Sequence, residues 1–275
     1  MKLCAGIVLY NPNIKTLKKS VENVSNICDT IILVDNHSDN FLEINELSND
    51  KKIVIIKNTK NLGIAKALNQ LLNYANDLNF DYLLTLDQDS ILGEKMLTNM
   101  LKYVDEKDVA LICPIINDLN KTKKIMQKEE IIDLERCITS GSLMNMKFCN
   151  EIGEFDEKMF IDYVDFDYCK RIKIASKRII RVRDAVINHE IGKRTKRKFL
   201  FWTVYPTNHT PQRIYFYSRN IKYYCKKFRD NMSQKEKINE LKYLIWKFIS
   251  IILYENNKKM KIKLYKQGLK DSKKM

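Results

Sequence analysis

The chain has 275 residues, 45% hydrophobic and 30% charged, with a formal net charge of +15. That length and apolar content suit one large domain with a substantial core plus a modest extension, and exclude disorder over most of the chain. Seven cysteines are scattered singly with no Cys-x-x-Cys pair, which argues against a disulfide framework and suits a reducing cytoplasm.

The first 115 residues alternate between strand-like and helix-like patterns. Residues 3–10 form a short apolar run that stops at Asn11-Pro12 and reads as a buried strand rather than a signal peptide. Asn13 is placed to cap a helix with apolar residues at Ile14, Leu17, Val21, Val24 and Cys28. Residues 30–34 and 53–56 are the next strands. Asn61-Leu62-Gly63 then opens a helix with Ile64, Leu68, Leu71, Leu72, Ala75 and Leu78 on one face. Residues 82–86 and 109–113 complete the strand set. This order predicts an α/β fold of βαβ units around a mostly parallel sheet. Further on, residues 139–146 read as a strand and 163–173 as a helix. Residues 190–211 read as a basic loop, and 212–229 and 234–254 as two aromatic-rich, lysine-rich helices. No run of about 18 apolar residues predicts a transmembrane helix.

Charge divides the chain near residue 190. Residues 191–275 carry 23 Lys or Arg against 5 Asp or Glu, and residues 1–190 carry 26 against 29. The expected organisation is a catalytic domain over residues 1–211 and a basic helical extension over 212–275. Such an extension suits a polyanion: a lipid surface, a nucleic acid or a phosphate-bearing substrate.

Polar clusters follow two of the strands, where open α/β sheets bind ligands. Asp87-Gln88-Asp89 stands directly after the strand at 82–86. Two carboxylates held close repel unless a cation compensates them, and Mg²⁺ or Mn²⁺ does so while bridging to phosphates; an exposed turn is the plainer reading. Asp35-Asn36-His37-Ser38 offers a carboxylate and an amide to a nucleobase and ribose, or simply a capped turn. Gly63, after Asn61, can turn backbone N–H groups toward a phosphate or a base. The segment 160–171 holds three carboxylates. Asp162 is placed to cap a helix and Asp165 lies one turn on, where a carboxylate can accept a proton from a hydroxyl; a helix N-terminus enriched in acids for its dipole is the alternative. His189 reads as a third metal ligand, a phosphate contact or a structural histidine.

Taken together and in order, these segments resemble family 2 glycosyltransferases of the GT-A fold, and within them a bacterial rhamnosyltransferase-like branch. The likeness rests on Val8-Leu9-Tyr10-Asn11-Pro12, Val34-Asp35-Asn36-His37-Ser38, Asn61-Leu62-Gly63-Ile64-Ala65 with Ala67-Leu68-Asn69, and Leu86-Asp87-Gln88-Asp89-Ser90. It continues through Ser140-Gly141-Ser142, Phe160-Ile161-Asp162-Tyr163-Val164-Asp165 and His189-x-x-Gly192. It ends in Pro211-Gln212-Arg213-Ile214-Tyr215-Phe216-Tyr217-Ser218-Arg219-Asn220. The resemblance implies a metal-dependent, inverting transferase. Asp35 would contact the donor's pyrimidine, with Tyr10 and Asn36 nearby, and Asn61, Gly63 and Asn69 would complete the donor site. Asp87 and Asp89 would hold Mg²⁺ or Mn²⁺ and the diphosphate, with His189 as a further ligand. Asp165 would be the catalytic base. Many relatives have Glu-Asp where this chain has Val164-Asp165, so Asp162 stays open as an alternative base.

The implied donor is a nucleotide sugar, dTDP-L-rhamnose or a UDP-hexose. The implied acceptor is a glycan or lipid-linked saccharide in surface-polysaccharide assembly. Residues 243–254 are too short to span a bilayer but apolar and aromatic enough to lie in its interface, with lysines on both sides. They predict a cytoplasmic protein peripheral on an anionic inner membrane face, or else a homodimer contact. Nucleic-acid binding is not expected, because the positive charge is confined to one end and the acidic clusters would have no role. A sugar-nucleotide pyrophosphorylase would need a Gly-rich loop where Tyr10-Asn11-Pro12-Asn13 stands.

Overall fold

The computed structural model describes residues 1–93, 95–118, 127–189, 197–199, 202–204 and 206–275, of which 118, 188, 189, 198, 199 and 202–204 by main chain alone. They form two compact units, Met1–Glu157 with Asp165–Glu190, and Lys158–Val164 with Ile191–Met275. The composition shift near residue 190 coincides with this division, and the expected boundary at 211 falls inside the second unit. The segment Lys158–Val164 joins that unit through contacts distant in sequence, such as Phe160 stacked on Phe216.

The first unit runs β1 (Leu3–Leu9), α1 (Ile14–Ser25), β2 (Thr30–Asp35), α2 (Phe41–Asn45), β3 (Ile53–Lys57), α3 (Ile64–Asp77), β4 (Tyr82–Asp87) and β5 (Ile91–Leu92). It continues with α4 (Met96–Leu101), β6 (Val109–Asp118), β7 (Ile131–Asp133), β8 (Ser142–Asn145), α5 (Met146–Ile152), α6 (Val164–Ile174) and β9 (Arg178–His189). The sheet order is β3-β2-β1-β4-β8-β6-β9-β5, with β7 also paired to β9. β1 runs parallel to β2 and β4, β2 to β3, and β6 to β9, while β8 lies antiparallel between β4 and β6. This is the mostly parallel α/β sheet that the alternating pattern predicts.

Strands covered on both faces read as continuous apolar runs. β1, β2 and β4 do so, and Ile7, Leu9, Leu33, Leu84 and Leu86 are core residues. Asn13 caps α1 as expected: its Oδ1 accepts the Thr16 N–H at 3.1 Å. The helix then buries Leu17, Val21 and Val24. β9 carries no such run. Its apolar Ile179, Ile180, Val182, Ala185 and Ile187 are interleaved with Arg178, Arg181, Arg183 and Asp184, and the strand forms because it pairs with β5, β6 and β7.

In the second unit, part of the expected 190–211 loop is two short strands, β10 (Arg197–Phe199) and β11 (Trp202–Val204), paired antiparallel. Then come α7 (Pro211–Lys227), α8 (Gln234–Tyr254) and a helix not expected from the sequence, α9 (Lys258–Asp271). Thr210 caps α7 ahead of Pro211, and Ser233 with Glu236 forms a capping box on α8. Gly268 lets α9 approach α7 closely; a Cβ there would strike the Ser218 side chain and the Tyr215 carbonyl. Glu255 is buried and accepts Lys247 Nζ at 2.8 Å and Lys261 Nζ at 2.9 Å. Burial pulls the Lys247 ammonium below its usual pKa, against the attraction of Glu255. Among the described residues no helix is long and apolar enough to cross a membrane.

Candidate active site

The register aligns the carboxyl ends of the central strands. Leu9 pairs with Asp35, Val8 with Asp87, and Asp35 with Lys57. Asp35 and Asp87 thus lie on either side of β1, about 10 Å apart at the usual strand spacing. One edge of the first unit collects Tyr10, the turn after Asp35, Asn58, the start of α3 and the turn after Asp87.

The Asp87–Ser90 turn is fixed from three sides. Its main chain closes with the Ser90 N–H on the Asp87 carbonyl at 3.1 Å. The Gln88 side chain lies against Tyr10, accepting its N–H at 2.7 Å and donating to its carbonyl at 3.2 Å. Ser140 Oγ accepts the Asp87 N–H at 3.2 Å and shares a hydrogen bond with Ser90 Oγ at 2.7 Å. Gly141 N–H donates to the Thr85 carbonyl, and Thr85 Oγ1 donates to the Thr139 and Ser142 carbonyls. The Ser140-Gly141-Ser142 motif is therefore the buttress of the turn. Asp87 is half-buried and Asp89 exposed.

Two carboxylates on one braced turn suit a hard divalent ion. Mg²⁺ or Mn²⁺ typically takes one or two protein carboxylates and completes its sphere with substrate phosphates and water. A closed protein cage is a different arrangement, and among the described residues no cluster of three or more His, Cys, Asp or Glu is placed to form one. His189 ends β9, and its side chain lies outside the described residues. Its main chain runs beside the turn, because Asn188 pairs with Ile91, two residues past Asp89.

Asp35 has no exposed surface, and both its carboxylate oxygens face the Ser38 N–H at 3.2 Å. An ionised carboxylate can accept several hydrogen bonds, and among the described residues this N–H is the protein donor it meets. The turn above it is tied to the end of β1: Asn11 N–H donates to Ser38 Oγ at 2.8 Å, and Asp39 N–H to Asn11 Oδ1 at 2.7 Å. Tyr10 stands half-exposed at that edge.

The asparagines hold the walls. Asn36 donates to the Gly63 carbonyl at 3.1 Å and accepts Asn58 Nδ2 at 2.9 Å, joining β2, the end of β3 and the start of α3. Asn69 is fully buried and grips the Phe155 main chain through both ends of its amide, at 2.7 and 3.0 Å. Both amides thus make hydrogen bonds within the protein. Asn61 Oδ1 accepts the Gly63 N–H at 2.9 Å, and Gly63 takes φ 86°, a conformation that favours glycine. Among the described residues no side chain caps α3 at Gly63, so backbone N–H groups of its first turn stay open to an acceptor.

Asp165 sits in the first turn of α6, half-buried, with its Oδ1 accepting the Phe166 N–H at 2.9 Å. It lines a small cavity with Ile138, Thr139 and Ser142. The 138–142 segment therefore lines the cavity of Asp165 and contacts the Asp87 turn. Asp162, in the second unit, is engaged differently. Arg213 Nη2 donates to its Oδ1 at 2.9 Å, and Nε reaches both oxygens at 3.2–3.3 Å. Its carboxylate therefore pairs with a guanidinium. Asp162 and Tyr163 both take positive φ, 66° and 69°. Non-glycine residues held there cost on the order of 1–3 kcal/mol each and persist only where neighbours enforce them.

Residues 4–182 match the family model described as glycosyl transferase family 2. RfbF, a dTDP-rhamnosyl transferase of Shigella flexneri, is 27% identical over 232 residues, covering 78% of this chain and 77% of that protein. Among solved structures, the mannosyltransferase PcManGT from Pyrobaculum calidifontis, in complex with GDP-Man and Mn²⁺, has a TM-score of 0.62 at 11% identity. That match covers 99% of this chain and 75% of the other. GalNAc-T7 with UDP, GalNAc and Mn²⁺ has a TM-score of 0.60 at 13% identity over 82% of this chain, which spans 50% of the length of that protein. At such identities the structural likeness establishes the fold.

Proposed function

As the chain belongs to glycosyl transferase family 2, we propose that it is an inverting, metal-dependent transferase that moves a sugar from a nucleotide donor to a saccharide acceptor hydroxyl. The observation that carries this reading is the single segment 138–142, which braces the Asp87-x-Asp89 turn and lines the cavity of Asp165. A diphosphate anchor and a proton acceptor that share one rigid segment suit an in-line displacement, whose rate depends on holding both reactants in register. Asp165 takes the acceptor hydroxyl's proton as its oxygen bonds to the anomeric carbon. The bond to the nucleoside diphosphate breaks on the opposite side, so the anomeric configuration inverts. Asp87 and Asp89 would hold a divalent ion, which would supply positive charge for the departing diphosphate. Tyr10 and the turn over Asp35 flank the nucleobase, and the uncapped start of α3 faces the donor.

We favour dTDP-L-rhamnose as donor, with a glycan or lipid-linked saccharide as acceptor. Support comes from the 27% identity to a dTDP-rhamnosyl transferase over most of both chains. A UDP-hexose is the competing donor. Nucleoside diphosphate release across a donor panel, with and without Mn²⁺, is expected to be fastest with dTDP-rhamnose. Calorimetry in which UDP-sugars bind tightly and dTDP-rhamnose does not would overturn the choice.

We further propose that the protein works against an anionic membrane face from the cytoplasmic side. Seven of the fourteen exposed large hydrophobic side chains among the described residues lie on α8, including Ile238, Leu241, Ile245, Trp246, Ile252 and Leu253. From residue 237 to 270 both carboxylates, Glu240 and Glu255, are buried, while Lys242, Lys258, Lys259, Lys263, Lys266 and Lys270 are exposed. An apolar stripe with unopposed lysines suits lipid, where each lysine near anionic headgroups adds about 1 kcal/mol. Docked on a second copy, the same face would set lysines against lysines. The protein should float with anionic vesicles at low salt but not with neutral ones, and Leu241→Glu with Ile245→Glu should stay in solution. Wild-type protein that stays down at low salt while its mass doubles with concentration would favour the dimer instead.

A further inference from the structure

One face of α7 is built around the loop 158–163. Arg213, Phe216, Tyr217, Asn220 and Tyr224 recur at three- and four-residue steps and so share one side of the helix. Each meets that loop. Arg213 takes the Asp162 carboxylate through two guanidinium nitrogens. Phe216 stacks on Phe160 with ring centroids 4.8 Å apart. Tyr217 and Tyr224 pack on the Tyr163 ring, whose hydroxyl donates to Glu240 at 2.5 Å. Asn220 is fully buried, and its Nδ2 donates to two successive carbonyls, Ile161 at 2.8 Å and Asp162 at 3.0 Å.

The neighbouring Arg219 completes the set. Its Nη2 donates to the Lys158 carbonyl at 2.6 Å, its guanidinium lies over the Phe216 ring, and its Nε donates to Asn220 Oδ1 at 2.9 Å. That last bond points the Asn220 amide nitrogen at the loop. The contacts converge on the place where Asp162 and Tyr163 both take left-handed backbone. Two such residues in succession would relax to ordinary φ without a clamp on their carbonyls and side chains. Through Val164 the chain then passes directly into the first turn of α6, where Asp165 stands.

We propose that Arg213, Arg219 and Asn220 are positioning residues, which hold the 158–163 loop in its left-handed form and so fix the start of the helix that carries Asp165. On this reading the Pro-x-Arg…Arg-Asn spacing of α7 is a brace, and Asp162 is its counter-anchor rather than the proton acceptor. The brace itself rests on the contacts above; its effect on turnover rests on Asp165 being the base.

The test uses full-length protein carrying Arg213→Ala, Arg213→Lys, Asp162→Asn, or Arg213→Ala with Asp162→Asn. Arg213 is partly exposed, so its replacement should leave the fold intact. Amide hydrogen exchange over residues 158–167 reads the loop without any substrate. Calorimetry with dTDP and with UDP reads nucleotide affinity, and nucleoside diphosphate release from the best donor of the panel reads turnover. Arg213→Ala is expected to speed exchange in this loop but not in the central strands. It should cut turnover about tenfold to a hundredfold, the scale of a misplaced reacting group, with nucleotide affinity unchanged. Arg213→Lys should recover part of both. Asp162→Asn should behave like Arg213→Ala, and the double variant no worse than either. Wild-type exchange and turnover in Arg213→Ala would overturn the brace, as would nucleotide affinity falling in step with turnover. Turnover lost in Asp162→Asn but kept in Arg213→Ala would make Asp162 the base and overturn it as well. If the wild-type protein releases nothing from any donor, the proposed function fails separately, and the exchange data still decide the brace.

Discussion

Asp165→Asn will lower turnover at least about a hundredfold, the usual scale for loss of a general base, while nucleotide affinity holds. The amide keeps the size and planarity of the carboxylate. Its Oδ1 can still accept the Phe166 N–H, a bond of 2.9 Å in the native helix, so the first turn of α6 keeps its local geometry. The substitution removes the negative charge and with it the capacity to accept a proton. The groups proposed to hold the donor, on Tyr10, the Asp35 turn and the Asp87 turn, are untouched, so dTDP binding by calorimetry should match wild type. A similar hundredfold fall in Asp162→Asn, with Asp165→Asn still active, would move the base by one turn. The structure weighs against that outcome, because the Asp162 carboxylate is held by the Arg213 guanidinium at 2.9 Å. A base paired in this way must give up a charge-assisted hydrogen bond when it takes a proton. The measurement is single-turnover release of nucleoside diphosphate at saturating donor.

The parts of this fold that sequence made legible are those in which each residue answers to its neighbours in sequence. β1, β2 and β4 are continuous apolar runs ending in polar turns, and Asn13 caps α1 within three residues of its partner. The residues 234–254 read as an aromatic-rich, lysine-rich helix, and α8 has those bounds. β9 was illegible because its arginines serve partners far along the chain: Arg178 meets Glu106 and Asp133. Its apolar residues alternate too irregularly to announce a strand. α9 was hidden by its lysines, since nothing local distinguishes Lys261, buried against Glu255, from a solvated one. At the candidate site, residue types and positions after the strands were visible, but commitments were not. Asn36 and Asn69 look like ligand amides in sequence, yet each spends its amide on distant backbone or side-chain groups. Asp162 and Asp165 differ by one turn in sequence, and the Arg213 contact that sets Asp162 apart comes from 51 residues away.

Asp87→Ala will abolish metal-dependent donor binding, and with it transfer. The Asp87–Ser90 turn is held by Ser140, Gln88 and its own main-chain bond, none of which uses the Asp87 carboxylate. Asp87→Ala keeps those three contacts while removing one of the turn's two adjacent charges. If those charges serve a divalent ion, dTDP should bind wild-type protein more tightly in Mn²⁺ than in EDTA, and the difference should vanish in Asp87→Ala. Asp89→Ala, at the exposed end of the turn, should lose most of it too. The sign is informative. Without a cation, two carboxylates repel a diphosphate, so removing one in EDTA should leave affinity unchanged or slightly improved. In Mn²⁺ the same substitution should weaken binding. A purely structural role would weaken binding equally in both conditions, and a melting temperature well below wild type would accompany it. Full transfer in EDTA, with both variants still active, would remove the metal from the mechanism and leave the braced turn as a hydrogen-bonding support for the donor.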